Sequence, residues 1–187
     1  MTPHERLLDM LATRSARTGS FTLASGRHSS LYIDARLTTM SPDGLATIGP
    51  LALAALRESG WNPDAVGGLT LGADPVSYAI AHASALAATP IRAFTVRKEA
   101  KAHGTGKLIE GPFRAGDRTV VIEDVITTGG SALRAVEVVR AAGGVVLGVL
   151  AVVDREEGGR DALNAAGLSV IALARAADIL ARMPRPA

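Results

Sequence analysis

The segment Val120-Val-Ile-Glu123-Asp124-Val125-Ile126-Thr127-Thr128-Gly129-Gly130-Ser131-Ala132 carries the most chemistry in the chain. An apolar run ends in two adjacent carboxylates, a turn of Thr, Gly and Ser follows, and an amphipathic helix then begins. The turn and the helix start suit a phosphate, because amides at a helix N-terminus lack helical partners and the helix dipole favours an anion there. Gly129 and Gly130 let the backbone come close, and Thr127, Thr128 and Ser131 add small hydroxyl donors. Glu123 and Asp124 would repel a bare phosphate. They fit a ligand that also carries hydroxyls or a divalent cation, since a ribose diol donates to carboxylates and Mg2+ takes oxygen ligands. One end of the segment thus suits a sugar diol and the other its 5′-phosphate. A lone Glu-Asp pair would read as a solvated strand end, but strand, acid pair, Thr-Thr-Gly-Gly-Ser and helix in this order outweigh that reading.

A second cluster is Arg97-Lys98-Glu99-Ala100-Lys101-Ala102-His103-Gly104-Thr105-Gly106-Lys107, with four basic residues and one His in eleven positions. Concentrated positive charge of this kind stabilises a departing pyrophosphate, and Gly104 and Gly106 would let the loop close as a lid. Taken alone, the run reads rather as a solvated surface loop, as most charge runs are. Arg155, just past an apolar run, could bind a carboxylate through its planar fork. A surface Arg beside Asp154 and Glu156 is its competing reading.

The elements that must position these groups follow from periodicity. Leu7, Leu8, Leu11 and Ala12 form one face of a helix over 4–18. Residues 21–34 read as two short strands around a Ser/Gly turn. Ser41-Pro42-Asp43 starts a helix that runs to about Ser59 and stops at Gly60. A strand over 65–70 leads through Gly72-Ala73-Asp74-Pro75 into an Ala-rich helix to about Ala87. Strands are expected at 91–96, 118–123, 145–153 and 168–173, helices at 131–142, 159–166 and 176–182, and a long loop at 97–111. Strands apolar on both faces that alternate with helices indicate an α/β fold with a mostly parallel sheet. Ligands in such folds bind beyond the carboxyl ends of the strands, which here are residues 72–75, 123–124 and 154–155.

The bulk properties narrow the classes. The chain has 187 residues, 48% hydrophobic and 20% charged, which suits one soluble domain. Its formal net charge is +2, the basic residues form no single stripe, and Trp61, Tyr32 and Tyr78 make no stacking platform, so no nucleic-acid partner is expected. The absence of cysteine excludes disulfides, thiolate chemistry and zinc–sulfur sites. There is no signal-peptide core and no apolar run long enough to span a bilayer, so a cytoplasmic protein without membrane contact is expected. His4, His28 and His82 have no metal-ligand spacing, and no Walker loop or nucleophile elbow is present.

The segment 120–132 resembles the phosphoribosyl pyrophosphate (PRPP) signature of the type I phosphoribosyltransferases over its whole length. Together with the loop at 97–107, Phe21-Thr-Leu-Ala-Ser-Gly-Arg27 and Ile109-Glu110-Gly111, it resembles the orotate phosphoribosyltransferase family from about Thr18 to Arg155. The resemblance implies one type I phosphoribosyltransferase domain over 1–187, with an N-terminal hood at about 1–40 and a mobile loop at about 97–111. It implies Mg2+-dependent transfer of phosphoribose from PRPP to orotate, with Lys101 and Asp124 catalytic. PRPP would be held by Arg97, Lys98, Lys101, His103 and residues 123–131, namely Glu123, Asp124, Val125, Ile126, Thr127, Thr128, Gly129, Gly130 and Ser131. Thr127 and Arg155 would meet orotate. No protein metal cage is implied, the Mg2+ being held mainly by PRPP. A homodimer is implied, with the loop reaching into the neighbouring subunit's site. Three departures from many members stand out: Ala24 replaces a Lys, Tyr32-Ile33 replaces paired aromatics, and residues 72–75 replace a Tyr-Lys pair. The rival readings are transfer to another nucleobase and a non-catalytic PRPP sensor of the same fold.

Overall fold

A computed structural model describes residues 1–22, 28–99 and 107–183. Helix α1 (Pro3–Met10) begins in a capping box: the Thr2 hydroxyl accepts from Glu5 N, and Thr2 N donates to the Glu5 carboxylate. It buries Leu7, Leu8 and Met10, and a π-helical turn at Leu11–Ser15 follows. The helix expected to reach residue 18 ends sooner. Ala16, Arg17 and Thr18 already pair with Ile33, Tyr32 and Leu31, so strand pairing overrides the helical pattern there. The result is an antiparallel ribbon of β1 (Ala16–Thr22) and β2 (His28–Ile33).

A short α2 (Arg36–Thr39), not expected from the pattern, leads into α3 (Pro42–Glu58). The N-cap of α3 is Ser41, whose hydroxyl accepts from Gly44 N at 3.1 Å, and Pro42 takes the first helical position, where its missing N–H costs nothing. The remaining elements are β3 (Ala65–Leu69), α4 (Ala73–Leu86), β4 (Arg92–Val96), β5 (Ile109–Glu110), β6 (Arg118–Ile126), α5 (Gly130–Ala141), β7 (Val145–Asp154), α6 (Gly159–Ala165), β8 (Val170–Arg175) and α7 (Ala176–Arg182).

Strands β3 to β8 form one sheet in the order β5-β4-β3-β6-β7-β8. All its pairings are parallel except that of β5 with β4. The two-residue β5 lies within the segment expected to be loop, where only edge pairing reveals it. Strand residues alternate between two apolar layers. Val120, Ile122, Leu150 and Val152 pack with α1, α3, α4 and α7, while Val121, Val149 and Ala151 pack with α5 and α6. Helices on both faces explain why these strands are apolar throughout. From β3 the chain winds outward through β4 and then returns to the other side of β3 as β6. That reversal is the point where an open α/β sheet leaves a crevice at its carboxyl edge.

Candidate active site

The crevice is built first by β6. This strand runs three residues beyond its expected end at Glu123, so the acid pair sits inside the strand, with Glu123 opposite Ala151 and Ile126 opposite Asp154. Past Ile126 the chain turns through Gly129, at φ 83°, a conformation L side chains avoid, and enters α5. Leu133 N donates to Gly129 O at 3.0 Å and closes the first turn. The amides ahead of it stand at the mouth of the helix, where α-helical geometry leaves four without helical partners.

Two close approaches shape the crevice. A Cβ on Gly72 would lie 2.4 Å from the Asp124 carboxylate, so that carboxylate rests on bare backbone at the β3–α4 turn. A Cβ on Gly159 would lie 2.4 Å from Thr127 O and 2.9 Å from Gly129 N, so the start of α6 supports the Thr-Gly turn from below. The β3–α4 turn is itself pinned by buried Asp74, which accepts from the Thr70 and Thr95 hydroxyls, each at 2.7 Å.

These walls enclose a cavity of about 520 Å³. Glu123, Asp124, Val125, Thr127, Thr128 and Ser131 line it together with residues 69–72 and 32–36 and with Lys98, Arg155 and Glu157. A larger cavity of about 760 Å³ between α3 and α4 is lined mainly by Ala, Leu and Pro and contains none of the sequence-derived site residues. The smaller one is the candidate chemical site, because the acid pair, the Thr-Gly turn and Arg155 meet in it.

The two carboxyls of the pair differ in surroundings. Glu123 is only 7% exposed. Burial, reinforced by the adjacent Asp124 carboxyl, pushes its pKa up to about 9. Asp124 is half-buried and accepts from Val125 N at 2.9 Å. Among the described residues no group of three or more His, Asp or Glu side chains could cage a metal. Glu123 and Asp124 nevertheless put oxygen atoms, the ligand type Mg2+ takes, on the cavity wall.

Arg155 is no surface residue. Asp154 is paired with Arg160 at 2.7 Å and Glu156 accepts from Ala177 N, so the neighbours expected to hold Arg155 on the surface are engaged elsewhere. Its side chain is 4% exposed, and Nη2 donates to Leu31 O at 2.7 Å, Ser29 Oγ at 2.9 Å and Glu157 Oε1 at 2.5 Å.

The other sequence-derived residues divide. Ile126 is a core side chain, 1% exposed and packed in the α5–α6 layer, so only its backbone could meet a ligand. Gly129 is buried, while Gly130 and Ser131 are exposed at the helix start. Lys98 reaches the cavity, and its carbonyl accepts from Arg134. Arg97 turns to Glu110 at 3.6 Å and does not line the cavity. Lys101, His103 and Ala24 lie outside the described residues. Sequence reasoning passed over Ser29, Glu157 and the pair Asp34–Arg36, whose side chains meet at 2.8 Å on the cavity wall. The i, i+2 spacing of Asp34 and Arg36 was a local signal for the last of these. Tyr32, noted in place of a paired aromatic, packs against Phe21 with centroids 5.5 Å apart and lines the cavity.

No family model matches the chain. It is 44% identical over 183 residues to an orotate phosphoribosyltransferase of Aquifex aeolicus, an alignment that covers 96% of this chain and 99% of the relative. A second relative of that name, from Bradyrhizobium sp., is 48% identical over 179 residues, covering 94% of this chain and 96% of its own. Among solved structures, Mycobacterium tuberculosis orotate phosphoribosyltransferase in complex with PRPP matches with a TM-score of 0.80 and 40% identity, covering 95% of this chain and 99% of that one.

Proposed function

Because the chain belongs to the orotate phosphoribosyltransferase family and joins orotate to the phosphoribose of PRPP in pyrimidine biosynthesis, we propose how its residues divide that work. Orotate N1 forms a bond to the anomeric carbon of PRPP as the bond from that carbon to pyrophosphate breaks, with inversion, giving orotidine 5′-phosphate and pyrophosphate. The turn from Thr127 to Ser131 holds the 5′-phosphate through amides and hydroxyls. Asp124 and Glu123 accept from the ribose diol, and Thr127 and Arg155 face orotate, Arg155 toward its carboxylate. Arg97, Lys98, Lys101 and His103 gather round the departing pyrophosphate, and closure of their loop keeps water from competing as nucleophile.

Asp124 is the carboxylate that would join an Mg2+ held mainly by PRPP, and the ion would there neutralise pyrophosphate charge. The active species is a homodimer in the cytoplasm, each chain one domain with a hood at about 1–40 and the loop at about 97–111 reaching the partner's site. No helix among the described residues is long and apolar enough to cross a membrane.

The observation that carries this division of roles is the meeting, in one cavity at the sheet's reversal point, of the acid pair, the Thr-Gly turn and Arg155. Its test is a spectrophotometric assay of orotate consumption with PRPP, with and without Mg2+, set beside adenine, guanine and uracil. Orotate is consumed in a Mg2+-dependent way and the other bases are not. Lys101→Ala lowers kcat by on the order of 10²-fold at unchanged melting temperature. Parental turnover in that variant would remove the loop from the mechanism.

A further inference from the structure

The base end of the cavity contains a constraint that these assignments leave unused. Nη2 of Arg155 carries two hydrogens yet serves three acceptors: Leu31 O at 2.7 Å, Ser29 Oγ at 2.9 Å and Glu157 Oε1 at 2.5 Å. Two of these come from β2, more than 120 residues away in sequence, and the third from two residues along the same loop. Nε is buried and has no partner among the described residues. Nη1 likewise makes no hydrogen bond among them. One donor atom of the guanidinium is therefore saturated and another is closed off by burial, which leaves Nη1 for an acceptor that arrives from outside.

Glu157 meets Arg155 through one oxygen on one nitrogen and does not take the two-pronged geometry open to an Arg–carboxylate pair. A carboxylate that merely filled the ligand's place would take the fork end-on. This one instead shares Nη2 with two neutral acceptors and leaves the rest of the fork untouched. We propose that Glu157 is a positioning residue: together with the hood acceptors Ser29 and Leu31 it fixes the plane of the Arg155 guanidinium, so that Nη1 meets a carboxylate oxygen of the incoming base. The inference rests on the reading that Arg155 binds the orotate carboxylate. It adds that the orientation of that contact is set by an acid and a hood strand, neither of which touches the base.

Steady-state kinetics of Glu157→Ala, Glu157→Gln and Arg155→Ala test it, with orotate and PRPP varied separately. Glu157→Ala raises the KM for orotate about tenfold, the ratio expected when one hydrogen bond to a charged group is lost. Its kcat and its KM for PRPP stay within about twofold, a split that general loosening of the fold does not produce. Glu157→Gln, which keeps an acceptor oxygen in place, recovers most of the orotate KM. Ser29→Ala, which removes a hood acceptor without touching the loop, moves the orotate KM in the same direction by a smaller factor and covers the case in which Glu157→Ala folds poorly. An unchanged orotate KM in Glu157→Ala, or an equal rise for both substrates, overturns the role of Glu157. If Arg155→Ala also leaves the orotate KM unchanged, the failure lies with the base-site reading itself.

Discussion

At the scale of single residues, burial makes two adjacent carboxyls chemically unlike. Glu123, pushed to about 9 by desolvation and by Asp124, keeps its proton at neutral pH and lines the cavity as a neutral group that can donate as well as accept. A neutral Glu123 cannot favour a cationic sugar through its own charge. The shift also couples to stability. The folded-state pKa lies above the ordinary 4.5, so over the interval up to about 9 the folded chain holds a proton that the unfolded chain has released. The stabilisation linked to that proton is whole below about pH 4.5 and is lost as pH rises through 9, at no more than about 1.4 kcal/mol per pH unit. Thermal melts of the parent and Glu123→Gln at pH 5, 7 and 9 report it. The parent loses more melting temperature toward pH 9 than the variant does, and parallel curves would mean that Glu123 is ionised in the fold.

At the scale of elements, the phosphate turn depends on α6, an element with no residue in it assigned to the ligand. Gly159 supports Thr127 and Gly129 from below, and a side chain there would strike two backbone atoms of the turn, which cannot rotate away, as well as the Ile126 side chain. Gly158, its neighbour, has φ 90° and nothing within 4 Å of a Cβ. The two glycines therefore separate strain from displacement. Gly158→Ala costs about 1–2 kcal/mol of stability and leaves the KM for PRPP alone. Gly159→Ala pushes the turn off its support and raises that KM by on the order of tenfold. Chemical denaturation beside PRPP-dependent kinetics distinguishes them. Equal kinetic behaviour of the two variants would show that α6 does not hold the turn.

At the scale of the molecule, the cavity lies where β3 and β6 meet, and stretches far apart in sequence close it: the end of β2 with the residues after it, the β3–α4 turn and the segments after β6 and β7. Arg97 faces Glu110 on its own chain while Lys98, its neighbour in the same loop, reaches this cavity, so the proposal that the loop serves a second subunit needs a test of its own. Mixing inactive Lys101→Ala and Asp124→Asn proteins after co-refolding then restores about a quarter of parental activity. Random pairing makes half the dimers mixed, and each mixed dimer regains one complete site. Absence of recovery would place Lys101 in its own subunit's site.

Much of this was legible in the residues. Helix α3 was read nearly to its ends, because Ser41, Pro42 and Gly60 are local signals that act within one turn, and α7 was read in full. The acid pair and the Thr-Gly-Ser turn were legible for the same reason, their chemistry and their order being written in one contiguous stretch. The short β5, the early start of β1 and the extension of β6 were not, since each depends on a strand partner brought up by the fold. Nor could the surroundings of Arg155 be read. The sequence placed it beside Asp154 and Glu156, and the fold turned it instead toward Ser29 and Leu31. Backbone propensity and capping are short-range, so the sequence alone marked most of the elements and the Thr-Gly turn. Which side chains share a guanidinium, and which carboxyl loses its water, are matters of long-range packing and desolvation that only the tertiary structure decided.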